Sequence, residues 1–176
     1  MSADTSNLLL VDDDMKTLLN YSVSEADTKI YQENYEMQLA SDEVDLQTKF
    51  HYAWCLAHSQ HRTDVKKAAV LLEEIFKEGT EEIKRDSLFY LAVAETRQKN
   101  YCTAKKYIQA FLRVEPTNIQ AQQLNLYIDK HLKKDGLTGM ALFGAATLFG
   151  GATAIVLGTV AVGAALGFAL VNKKNT

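Results

Sequence analysis

The stretch LFYLAVAETRQKNYCTAKKYIQAFLRVEP, residues 88–116, decides the fold. Leu88, Leu91, Ala92 and Glu95 recur at helical spacing, Asn100 interrupts them, Tyr101, Ala104, Ile108 and Phe111 resume the period, and Pro116 ends it. Two helices joined by so short a turn lie antiparallel. Working outward, Asp64 precedes Val65, Ala68, Ala69, Leu72, Ile75 and Phe76 as a cap, and Gly79 stops that helix. Phe50, Ala53, Trp54 and Ala57 follow i, i+3, i+4, i+7 before it. Ser24 caps a helix over residues 26–39, with Ala26, Ile30 and Met37 as one stripe. Thr117 caps the last helix, with Ala121, Leu124, Ile128 and Leu132 facing inward. Strand alternation is absent between residues 24 and 134, so the expected class is all-α.

The helix pairs repeat. Trp54-Cys55-Leu56-Ala57 precedes Phe89-Tyr90-Leu91-Ala92 by 35 residues, and Ala68, Leu72 and Ile75 precede Ala104, Ile108 and Phe111 by 36. Large aromatic, Leu-small, then Tyr, Ala, an apolar residue and a trailing Pro resembles the tetratricopeptide pattern. The second copy, about residues 85–116, has all of these, whereas the first, about 49–80, lacks the Pro. Each repeat buries its apolar face on a neighbour, so two repeats need capping helices, here 24–40 and 117–134.

Composition divides the chain. Residues 136–171 carry no charged side chain and hold eight of the nine glycines, and only residues 172–176, with Lys173 and Lys174, follow them. At ~1.5 Å per residue this run measures ~54 Å against a hydrocarbon core of ~30 Å, so it is expected to anchor the chain, with 147–171 spanning. The expected organisation is therefore an acidic arm (1–20), a cytosolic helical domain (21–135), a membrane anchor (136–171) and a short basic tail (172–176). The net charge of −3 hides a split: residues 1–48 hold eleven acids and two lysines (−9), residues 49–135 fifteen basic groups and eleven acids (+4), and the tail adds two lysines (+2). Cys55 and Cys102, without motif spacing, suit a reducing cytosol as free thiols.

Four motifs carry a family resemblance: Phe50-x-Tyr52-Ala53-Trp54-Cys55-Leu56, Val70-Leu71-Leu72-Glu73-Glu74, Phe89-Tyr90-Leu91-Ala92-Val93, and Lys133-Lys134-Asp135-Gly136-Leu137-x-Gly139-Met140-Ala141. In this order they closely resemble the mitochondrial fission 1 protein family, from about Met15 onward. The resemblance implies a tail-anchored, tetratricopeptide-like adaptor of the mitochondrial outer membrane and of peroxisomes. It would recruit fission factors, including a dynamin-family GTPase directly or through an adaptor. It further implies an N-terminal arm that regulates access to the groove. Two features depart from the family: residues 1–14 precede its usual start, and Ala94 stands where Gly is frequent.

The first helix of each tetratricopeptide pair lines the concave surface. Mapping that pattern gives His51, Trp54, His58, His61 and Arg62 from repeat one, and Asp86, Phe89, Val93, Thr96 and Arg97 from repeat two. Such a groove suits a helix or extended segment of a partner. The expected partner-binding set is Trp54, His58, Phe89, Val93 and Arg97. Trp54 and Phe89 read equally well as core, while His58, Val93 and Arg97 read as outward-facing. His51, Cys55, His58 and His61, at spacings of 4, 3 and 3, have zinc-binding side chains, but Cys55 is expected to pack inward, so the reading is a histidine-rich rim titrating near neutrality and no metal. In the arm, the apolar run Leu8, Leu9, Leu10 and Val11 lies among aspartates. It reads either as a solvated terminus or as a segment lying in the groove while the aspartates meet Arg62, Arg97 or Lys99.

These residues imply a binding module rather than an enzyme. There is no phosphate loop, His-Glu-x-x-His or nucleophile elbow, and no cofactor is expected. Nucleic acid is not an expected ligand, because the positive charge of residues 49–135 is scattered over the helices. A co-chaperone clamp of Lys and Asn is missing, while a repeat receptor for presequences or chaperone clients in protein import stays open. Lys173 and Lys174 after a glycine-rich span read as a mitochondrial address. Gly163-x-x-x-Gly167 suits homo-oligomer packing through the tail, although so glycine-rich a segment yields such matches by chance.

Overall fold

A computed structural model describes the backbone of residues 3–134 and the side chains of residues 12–134. These fall within the first of two compact units, Met1–Ala145; the second, Ala146–Thr176, lies outside the described residues. So do the expected anchor, Lys173 and Lys174, and the side chains of Leu8, Leu9, Leu10 and Val11. The described chain forms helices α1 (Ala3–Asn20), α2 (Glu25–Ala40), α3 (Leu46–Ala57), α4 (Arg62–Glu78), α5 (Glu81–Arg97), α6 (Tyr101–Val114) and α7 (Ile119–Lys134). Among the described residues no helix is long and apolar enough to cross a membrane.

Local chemistry sets most of the boundaries. The Ser24 hydroxyl accepts from the Asp27 amide at 3.0 Å and caps α2, and Asp45 caps α3 in the same way through Thr48. Two sequence expectations are corrected here. Asp64 lies within the first turn of α4, where its carboxylate takes the Ser59 hydroxyl at 2.6 Å. At α7 the side-chain cap is Asn118, accepting from the Ala121 amide at 2.9 Å, rather than Thr117. Gly79 is required by close approach: a Cβ there would sit 2.9 Å from the Ile75 carbonyl oxygen and 3.1 Å from Ile83 Cγ2.

Helices α2 and α5 end in the same backbone motif. Asn100 N–H bonds to Glu95 C=O and Lys99 N–H to Thr96 C=O, both at 2.9 Å, with Lys99 at φ 66°. Glu43 and Asp42, the latter at φ 58°, repeat the pattern on Gln38 and Leu39. These are Schellman caps without the usual glycine. Lys99→Gly is therefore expected to stabilise the domain by about 0.5–1 kcal/mol, because glycine has no Cβ to strain in the left-handed region. Urea denaturation would show the midpoint rising with an unchanged slope.

Consecutive helices pack on one another from α2 to α7, and α3, α5 and α7 also meet as an inner row. α5 is central: Leu91, Ala92, Val93 and Ala94 are wholly buried, and around them lie Leu72 and Ile75 of α4, Ile108 of α6, and Leu124 and Ile128 of α7. Polar ties fix the pairing. Buried Lys105 of α6 donates to Asn125 at 2.7 Å and to Asp129 at 2.6 Å on α7. Tyr107 of α6 donates to Glu73 of α4 at 2.7 Å.

α2 is the exception. It buries no residue fully, and its expected inward stripe points out: Ile30 is 56% and Met37 67% exposed. The inward face is instead aromatic and polar, with Tyr35 stacked on Tyr52 at 5.1 Å, Tyr31 against His51 at 5.7 Å, and Gln38 bonded to Thr48. α3 presents rings on that side, and rings on the facing turn of α2 meet them.

Candidate functional site

The inner face of α3 and α5 carries a ring cluster. His58, at the C-terminal end of α3, has Trp54 at 4.9 Å, Tyr90 of α5 at 5.8 Å and Tyr21 at 5.3 Å. Tyr21 also lies 6.3 Å from the Trp54 ring. Tyr21 is the residue after α1, so the loop into α2 brings it over the cluster.

Arg97 closes the cluster from below. Its guanidinium reaches across from α5 to the end of α3, donating to the Ala57 carbonyl and, at 2.8 Å, to the Ser59 carbonyl. These carbonyls lack intrahelical partners, and the C-terminal end of α3 carries partial negative charge, so a cation suits the position. Among the described residues no carboxylate pairs with Arg97, and burial alone lowers its pKa.

Only part of the expected set lies here. Trp54 and Arg97 are half-buried on the inner face. The outward orientation expected of His58 and Val93 is corrected: His58 is 2% exposed and Val93 wholly buried. Phe89 is buried as well, packed on Phe111 of α6 at 5.5 Å, on the core side of the reading left open for it. A tetratricopeptide register applied to α5 points Phe89 inward, whereas the helix turns one residue further and presents Tyr90. Tyr90 and Tyr21 were missed; the signal for Tyr90 was its i, i+7 spacing to Arg97 on one helical face.

The histidine rim is also corrected. His51 and His61 are exposed, whereas Cys55 and His58 are buried, so the four do not converge; no metal-sized cluster of such ligands occurs among the described residues. His58 Nδ1–H donates to the Trp54 carbonyl at 2.9 Å. Burial holds its pKa below the ordinary 6.5, the carbonyl bond opposes this, and the Arg97 charge adds to the lowering. The sign follows. Below pH 6.5 the unfolded chain takes up a proton that the folded chain refuses, so stability is complete above 6.5 and falls as the pH drops toward the folded pKa. Melting of the wild type from pH 7.5 to 5.5 should show this loss, and His58→Phe should reduce it.

α1 roofs the site. It packs on α7 and α5, and Met15 is 1% exposed beneath it. Asp12 pairs with Lys130, and Asp14 accepts from Gln123 at 3.1 Å, both on α7. Asp12 and Asp14 thus meet α7 rather than the expected Arg62, Arg97 or Lys99, while Asp13 pairs with Lys16 within α1. Helix α1, followed by Tyr21, covers the inner row.

Comparison with known proteins agrees with this architecture. Residues 47–79 match the Fis1 N-terminal tetratricopeptide repeat and residues 85–137 the Fis1 C-terminal tetratricopeptide repeat. The chain is similar to mitochondrial fission 1 protein of Homo sapiens, 43% identical over 134 residues, covering 76% of this chain and 88% of that protein. To its counterpart in Yarrowia lipolytica it is 30% identical over 164 residues, covering 93% and 97%. The fold matches the crystal structure of fission protein Fis1 from Saccharomyces cerevisiae with a TM-score of 0.61 at 23% identity, over 67% of this chain and 90% of that one. It matches yeast Fis1 in complex with an Mdv1 fragment containing N-terminal extension and coiled-coil domains with a TM-score of 0.62 at 24% identity, over 68% and 92%. In repeat architecture and in sequence alike, this chain belongs to the mitochondrial fission 1 protein family.

Proposed function

We propose that the chain is a non-enzymatic adaptor of mitochondrial fission, held by residues 136–171 on the outer membrane of mitochondria and on peroxisomes, with its helical domain in the cytosol. The observation that carries this reading is the ring-and-guanidinium site of Tyr21, Trp54, His58, Tyr90 and Arg97 on the inner face of a tetratricopeptide pair. It is built from side chains that favour protein contacts and contains no nucleophile–base pair. Yeast Fis1, a neighbour in fold, has been crystallised with a fragment of Mdv1, and a helical partner segment suits the inner row of this chain. Through such a segment the adaptor recruits a dynamin-family GTPase, directly or by way of an intermediary.

The test is replacement in cells lacking their own family member. The full chain should restore fragmented mitochondria and bring the GTPase to them. Trp54→Ala with Tyr90→Ala should keep the chain on mitochondria without recruitment, and Lys173→Ser with Lys174→Ser should send it to other membranes. Recruitment undiminished in the ring variant would remove the inner face as the partner site. A presequence receptor would instead bind presequence peptides in titration and leave organelle shape unchanged.

A further inference from the structure

The inner-face site already holds a ring of its own chain. Tyr21 closes the last turn of α1, its amide donating to the Thr17 carbonyl at 3.0 Å, and Ser24 caps α2 three residues further on. The connection is short and pinned at both ends. It sets the Tyr21 ring edge-on to His58 at 5.3 Å and 77°, and tilted on Trp54 at 6.3 Å. His58 in turn meets Tyr90 edge-on at 5.8 Å. The walls that Tyr21 touches are thus rings, and edge-to-face contact is the geometry that ring quadrupoles favour. Yet Tyr21 is 50% exposed, whereas Met15 of α1 is 1% exposed. Met15 anchors the helix, and the Tyr21 ring rests in the site without being locked there.

We propose that the partner segment is anchored by an aromatic side chain, Tyr or Phe, which takes the seat that Tyr21 fills in the free chain. This rests on the inner face being the partner site, and it adds what that site recognises. A saturated side chain such as Leu covers similar apolar area but gains nothing from ring quadrupoles, so two ring pairs favour an aromatic anchor by about tenfold. The other anchor the site admits is a carboxylate, since Arg97 has no carboxylate partner among the described residues. Both terminal nitrogens of that guanidinium are already committed to the Ala57 and Ser59 carbonyls, however, which leaves the rings as the open contacts. Exchange of one ring for another keeps Trp54 and His58 covered in both states. Tyr21 and the anchor exclude each other, because both use the same faces.

The experiment uses the full chain in neutral bilayer discs, and the emission of Trp54, the only tryptophan of the chain, reports the seat. The probes are alanine-rich helical peptides identical except at one central position, which is Tyr, Phe, Leu or Glu. Tyr21→Ala removes a half-exposed ring and leaves Met15 and the core in place. On this variant the Tyr and Phe peptides should bind about tenfold more tightly than the Leu and Glu peptides. On the wild type they should bind about tenfold more weakly than on Tyr21→Ala, because the resident ring competes. Tyr21→Phe should match the wild type, and Tyr21→Leu should fall between the two. Equal binding of the Tyr and Leu peptides to Tyr21→Ala overturns the proposal while leaving the inner face as a partner site. Preference for the Glu peptide overturns it in favour of Arg97 as the anchor point. Tighter binding to the wild type than to Tyr21→Ala would make Tyr21 part of the partner's surface, and it overturns the proposal as well. So does the failure of every peptide to shift the Trp54 emission, whereas recruitment in cells by Trp54→Ala with Tyr90→Ala judges the site itself.

Discussion

Arg97→Glu is expected to abolish partner binding and to destabilise the domain by about 3–5 kcal/mol. The guanidinium makes two charge-assisted bonds, to the last carbonyl of α3 at Ala57 and to that of Ser59 just beyond the helix, and spans the gap between α3 and α5. Each such bond contributes about 1.5–3 kcal/mol when its acceptor is otherwise left dry. Glutamate cannot donate to either carbonyl, and its negative charge sits at the negative end of the α3 dipole. The His58 and Trp54 rings, tilted against each other at 4.9 Å, then lose the support that holds the end of α3 beside Tyr90. Arg97→Lys should fall between the two, because it keeps the charge but loses the planar fork that reaches both carbonyls. Chemical denaturation measures the first effect and titration with the partner's helical segment the second. A variant that melts like the wild type would show that the two carbonyls find water equally well without Arg97.

Met15→Asp is expected to release α1 and tighten partner binding by about tenfold or more. Met15 is the buried anchor of the arm, and a fully buried methionine contributes about 1.5–3 kcal/mol, enough to hold most molecules closed. A partner that needs the inner row sees only the open fraction, so its apparent affinity falls by that fraction. Aspartate cannot be buried there unpaired, and undocking frees Asp12 and Asp14 from Lys130 and Gln123. The Asp14 contact is exposed and the Asp12–Lys130 pair only partly covered, so both contribute less than the methionine and Asp12→Asn should tighten binding less. Proteolysis offers an independent readout, with cleavage near residues 20–24 accelerating in the Met15 variant. If Met15→Asp weakens binding instead, α1 forms part of the partner's surface and is not its competitor.

Helices α2 to α7 and the repeat were legible because their determinants are local, whereas α1 was read only as an acidic arm. Asn100, Pro116 and Gly79 break the chain where a helix cannot continue, and Leu88, Leu91 and Ala92 face the core because a 3.6-residue period leaves one apolar side. The caps were legible only in part. Asn118 displaced Thr117 by one position, and two Schellman turns formed on Lys99 and Asp42, where no glycine announced them. The family was legible as well, since four motifs in order carry it.

Facing was not decided by local pattern. Ile30 and Met37 form as regular a stripe as Ala121 and Leu124, yet the first stays in solvent and the second is buried. The difference lies in what the neighbouring helix offers: α3 shows rings to α2, and the tyrosines meet them. Likewise a single-residue turn of α5 sends Phe89 into the core and Tyr90 into the site, a choice made by Phe111 across the gap. The spacing of apolar residues by itself determined that this chain is a stack of helix pairs, because helix formation depends on residues within a few turns of each other. Which face of each helix looks inward, and that the arm's aspartates reach Lys130 and Gln123 more than 100 residues away, only the tertiary structure decided. Such contacts depend on which shapes and charges the packed neighbours leave open, and a one-dimensional pattern does not contain that.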